Sequence, residues 1–128
     1  MDDQADRAAD EFDQLIDHAL AELPAEFASQ LHSVAIVVDE QASPEQLAAT
    51  GKAGLFGLYQ GVPRTAFGAT GAPVASKITL FRRPLEMFNP SPAALARAVR
   101  DTLFHEIAHH LGISDARLTE LSRARRQR

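Results

Sequence analysis

The 128-residue chain contains no cysteine and a single tyrosine. The first absence is the more restrictive: disulfides and thiolate metal sites are excluded, which leaves histidine and carboxylate side chains as the strong ligands. Long apolar runs are also missing, and nothing approaches the roughly 20 residues that cross a bilayer. The opening residues Met1-Asp2-Asp3-Gln4-Ala5-Asp6 lack the basic then apolar pattern of a secretory leader, so a cytoplasmic protein with no membrane partner is expected. No internal repeat is present.

What is there suits one domain over residues 1–128, because 45% hydrophobic residues in this length supply one core and no second. Residues 1–5 and 126–128 are expected to fray. The net charge of −4 is unevenly spread. Asp2, Asp3, Asp6, Asp10, Glu11, Asp13 and Asp17 crowd the beginning, and Arg117, Arg123, Arg125, Arg126 and Arg128 crowd the end. A basic end of this kind reads as a solvated helix terminus rather than a phosphate-binding patch, which argues against nucleic acid as a partner.

Phe12, Leu15, Ile16, Ala19, Leu20 and Leu23 recur at helical spacing and predict an amphipathic helix from about Ala5 to Leu23, ended by Pro24. His32–Asp39 carries Val34-Ala35-Ile36-Val37-Val38, read as a strand buried on both faces. Ser43-Pro44-Glu45 starts a short helix through Ala49, and Thr50–Gly54 reads as a turn. Gly57 to Ser76, interspersed with glycine and proline, reads as a mobile loop. Lys77–Arg82 alternates like a strand beside the cleft, stopped by Arg83-Pro84. Ser91 as N-cap and Pro92 as first helical residue open a helix through Leu111, and Ser114 caps a last one to about Arg125 with Leu118 and Leu121 inward.

The most informative stretch is His105-Glu106-Ile107-Ala108-His109-His110-Leu111-Gly112-Ile113-Ser114-Asp115. It fits H-E-x-x-H, extended to H-E-x-x-H-x-x-G-x-x-D. On a helix, His105 and His109 lie one turn apart on one face and can aim at a single ion. Glu106 follows the first of them directly, where a general base for hydrolysis belongs. Catalytic zinc takes three protein groups and keeps a position for water. Gly112 can end the helix in a left-handed conformation and bring Asp115 back as the third group. The alternative is an amphipathic helix whose His and Glu face solvent, with Arg97 and Arg100 as surface charges and Asp115 as an acid at a helix N-terminus. His110 points about 100° away from His109 and is expected to pack or to support the site. His18 and His32 read as a surface and a strand-end residue.

At this point the chain resembles the small bacterial zincin-like metallopeptidases, a family once catalogued as a domain of unknown function. The resemblance runs from about Phe12 to Leu121. It rests on Leu20–Pro24, Gly57–Pro63, Ile78–Pro84 and above all Thr102–Asp115. It implies a minimal zincin fold of the α+β class: a small mixed sheet packed against the motif helix, with N- and C-terminal helices. It further implies one zinc ion per chain at His105, His109 and Asp115, Glu106 as general base, and a peptide or protein substrate. Larger metzincins have a third His where Asp115 stands and a methionine turn after it. Here no methionine follows Asp115, and Met87 lies upstream.

The implied reaction is hydrolysis by a zinc-activated water, with Glu106 carrying the proton to the leaving amine. Tyr59 could steady the oxyanion through its hydroxyl, although a packing tyrosine with one hydrogen bond is the plainer role, and Arg64 is a further candidate. Glu120 competes with Asp115 as third ligand, but lies closer to His109 in sequence than such ligands usually do. Two other readings stay open: a non-catalytic zinc- or peptide-binding module, and hydrolysis of another amide or ester.

Overall fold

The computed structural model describes residues 3–51, 54–61 and 76–126. Acidic residues interleaved with apolar ones make α1 (Asp3–Ala21) amphipathic, and its Phe12, Ile16 and Ala19 are buried. It ends two residues earlier than the apolar spacing predicts, and Leu23 is buried from the turn that follows. A one-turn helix, α2 (Ala25–Ala28), and a 3-10 turn (Ser29–Leu31) lead to β1 (Val34–Asp39). Next come α3 (Pro44–Thr50), β2 (Gly57–Gln60), β3 (Ser76–Phe81), α4 (Arg82–Phe88), α5 (Pro92–Leu111) and α6 (Asp115–Arg126). The frayed ends expected at 1–5 and 126–128 fall partly outside the described residues, and helix is present at Asp3 and at Arg126.

The three strands form one mixed sheet in the order β1-β3-β2, with β1 parallel and β2 antiparallel to β3. The central place decides burial. Ile78, Thr79, Leu80 and Phe81 of β3 are fully buried, whereas β1 at the edge keeps Ala35 and Asp39 exposed. Burial on both faces, expected of β1 from its β-branched run, therefore belongs to β3. The edge strand covers one face only.

Two further expectations are corrected. Part of the supposed loop from Gly57 is β2, and Ser76 already belongs to β3; residues 62–75 lie outside the described residues, with Arg64 and the stretch Ala66–Val74 among them. Pro84 does not stop β3 but sits in the first turn of α4, where a missing N–H costs nothing. α3 follows expectation: Ser43 and Gln46 form a capping box, and Gly51 closes the helix at φ 70°.

The core lies between α5 and its neighbours. Val99, Leu103 and Ile107, four residues apart, are fully buried against α1, the sheet and Leu118 of α6. Each such side chain contributes about 1.5–3 kcal/mol. The fold is thus α+β, a small mixed sheet beside one long helix flanked by helices from both ends of the chain. No helix among the described residues is long and apolar enough to cross a membrane.

Candidate metal centre

Local signals fix both ends of α5. The Ser91 hydroxyl accepts from the Ala94 N–H at 3.1 Å, and Pro92 takes the first helical position. At the other end Gly112 has φ 73°, its N–H donates to His109 O at 3.2 Å, and the Ile113 N–H donates to Ala108 O at 3.1 Å. Those two bonds are a Schellman motif, which reverses the chain just past the second His of the motif. Ser114 then caps α6 by accepting from the Arg117 N–H at 3.1 Å, and Asp115 begins that helix.

The reversal has a direct consequence. Asp115 Oδ2 accepts a hydrogen bond from Nδ1 of His105, ten residues upstream. The His105 and His109 rings lie 4.7 Å apart, centroid to centroid. Between them sits the Glu106 carboxylate, with Oε2 3.9 Å from His105 Nε2 and Oε1 3.5 Å from His109 Nδ1. Burial separates their roles. The side chains of His105 and His109 are 47% and 56% exposed, while that of Glu106 is 8% exposed. The bland sequence reading, with His and Glu alike facing solvent, fails at Glu106.

As donors, two imidazoles and a carboxylate are ordinary zinc ligands, so the chemistry of the set fits. Yet among the described residues no three His, Asp or Glu side chains are posed as a complete ligand set. His105 is paired with Asp115 on one side and with His109 on the other, and Asp115 accepts the N–H of His105. A neutral imidazole that donates from Nδ1 to a carboxylate keeps the lone pair of Nε2, the nitrogen suited to a metal. Glu120 is on the exposed face of α6, with Oε2 3.7 Å from Arg117 Nη1.

The hydroxyl of Tyr59, on β2, is hydrogen-bonded to two neighbours, Ser76 Oγ at 3.1 Å and His110 Nδ1 at 3.0 Å. To donate to an oxyanion it would have to withdraw its proton from whichever neighbour now accepts it. His110 is fully buried, turned from the two exposed imidazoles as the helical step requires. The Tyr59–His110–Ser76 contact was invisible to sequence reasoning, since its members are far apart in the chain. His18 is exposed, and His32 is exposed with Nδ1 2.8 Å from Ser29 O. Arg100 pairs with Asp101 at 3.3 Å and Glu22 at 3.7 Å, as a surface cation would.

His105, Glu106 and Asp115 open into a cleft of about 600 Å³. Its other side is Gly54–Gly57, which runs into β2, so the strand beside the cleft is β2 rather than β3. Gly57 permits the close approach of α5: a Cβ there would stand 2.7 Å from Thr102 Cγ2. Comparison with protein families matches residues 31–124 to a model described as zincin-like metallopeptidase. No curated protein matches the chain.

Proposed function

The chain belongs to the zincin-like metallopeptidase family, and from that premise we propose that it hydrolyses peptide bonds with His105, His109 and Asp115 holding one zinc ion and Glu106 as general base. One observation carries the reading: a single buried carboxylate lies within 4 Å of two exposed imidazoles at the edge of a cleft. A purely structural metal site has no use for such a group.

Zinc bound there would acidify a water molecule and polarise the substrate carbonyl. The rest falls to the chain's own side chains. Glu106 is held by the buried side of α5 and accepts a proton from water at a carboxylate oxygen, then returns it to the leaving amine. Asp115 holds the His105 ring through Nδ1 and, as third ligand, would exchange that hydrogen bond for the ion. Gly57 and Thr102 bring β2 against the motif helix, and both line the cleft where β2 begins.

Purified protein titrated with zinc, and assayed on a broad peptide library, tests the proposal. His105→Ala and His109→Ala should lose zinc, and Glu106→Gln should keep zinc while hydrolysis falls about 10²–10⁴-fold. Equal hydrolysis by wild type and Glu106→Gln would reject the proposal.

A further inference from the structure

The same cleft carries an aromatic wall that the hydrolytic reading does not use. Phe56, Met87 and Phe88 are the large hydrophobic residues left exposed among the described residues, at 39%, 69% and 71%. Phe56 and Phe88 both line the cleft with His105 and Glu106, together with Leu55 and Pro84. Their rings stand 6.0 Å apart at 57°, within the range of an aromatic pair. Clustered apolar surface of this kind marks a place where something else docks.

The wall is built, not incidental. The Phe81 N–H at the end of β3 donates to Phe56 O at 2.8 Å, which fixes the segment before β2. α4 follows β3 without a linker, is tied by the Arg83 N–H to Glu40 O at 3.0 Å, and is anchored through the fully buried Leu85. Both rings are therefore placed from one strand end, and recognition on such a scaffold loses little to ordering. The ionisable side chains lining the cleft are Asp101, His105, Glu106 and Asp115, with no Lys or Arg among the described residues. An acidic side chain would meet like charge there, and a large apolar one would meet complementary surface.

We propose that the Phe56–Phe88 wall is the specificity subsite of this centre, seating a large apolar side chain, aromatic or leucine-like, of the substrate residue next to the bond cut. The inference rests on the peptidase reading of His105, Glu106 and His109. Its test separates the two. Zinc-loaded Glu106→Gln is titrated with end-blocked alanine-based peptides carrying one Phe, one Leu or one Glu, and wild type is given the same peptides for cleavage.

Phe and Leu peptides should bind about tenfold more tightly than the Glu peptide. Phe88→Ala and Phe56→Ala should each remove most of that advantage, and Met87→Ala, equally exposed but outside the cleft lining, should leave it. Wild type should cut beside Phe and Leu. Binding without apolar preference, or a preference untouched by both phenylalanine variants, overturns the subsite. Apolar binding that persists while wild type cuts none of the peptides overturns the peptidase reading and leaves the wall as a binding site.

Discussion

The hydroxyl of Tyr59 lies 3.0 Å from Nδ1 of the fully buried His110, and this bond ties β2 to the last turn of α5. His109, its neighbour in the chain, faces outward with its ring 6.5 Å from that of Tyr59, nearly edge to face. The contact therefore fixes the helix where the second imidazole of the motif is presented.

Tyr59→Phe keeps the ring and deletes the hydroxyl. Loss of a partner from buried His110 and from Ser76 should cost about 1–3 kcal/mol in a urea unfolding titration. If the residue works through position, kcat should change little. A fall of about 10²–10³ in kcat at unchanged stability would instead give Tyr59 the oxyanion role, the less plain of the two the sequence offers.

Gly112→Ala tests the reversal that delivers Asp115. With φ at 73°, an L side chain is strained by about 1–2 kcal/mol, and Gly112→Asn should be milder. Because Asp115 reaches His105 only through this turn, zinc affinity should fall with stability in the alanine variant. Unfolding midpoints and zinc titrations on the same preparations check both.

The ends of α5 and the motif face were legible in the sequence because their causes are local. Ser91-Pro92 starts a helix, Gly112 ends it, and residues four apart share a face. Burial of β1 is not legible in the sequence because an apolar run does not say whether a strand will have one neighbour or two. β2 was hidden for a related reason: Gly57 looks like loop punctuation, yet its missing side chain is what lets Thr102 of α5 approach. Pro84 reads as a stop in the sequence, although the first turn of a helix tolerates it. The Tyr59–His110 bond and the Phe56–Phe88 wall join distant segments, so neither leaves a spacing to read.

Gly57→Ala should be more damaging than an average edge-strand substitution. Its Cβ would stand 2.7 Å from Thr102 Cγ2 and 3.3 Å from the Thr79 carbonyl oxygen, so β2 and α5 must separate. Overpacking of this kind costs about 1–3 kcal/mol. Thr102→Ser removes the methyl at 2.7 Å and should recover part of the loss, giving a coupling of about 0.5–3 kcal/mol in a double-mutant cycle. Additive effects would place the strain on the Thr79 backbone instead.

Asp115 carries two separable loads. As the first residue of α6 it favours that helix N-terminus by about 0.3–1 kcal/mol, and as the proposed third ligand it offers to zinc the carboxylate that now accepts from His105 Nδ1. Asp115→Ala should therefore cost little stability while weakening zinc binding by more than the roughly tenfold that losing a mere orienting partner costs. Asp115→Asn keeps an oxygen acceptor but no charge, and should fall between wild type and alanine. Glu120→Ala removes only a carboxylate 3.7 Å from Arg117 on the exposed face of α6, and zinc affinity should not change. Were the Glu120 variant the one to lose zinc, the third ligand would have to come from the second turn of α6, and the Schellman turn at Gly112 would serve only to end α5.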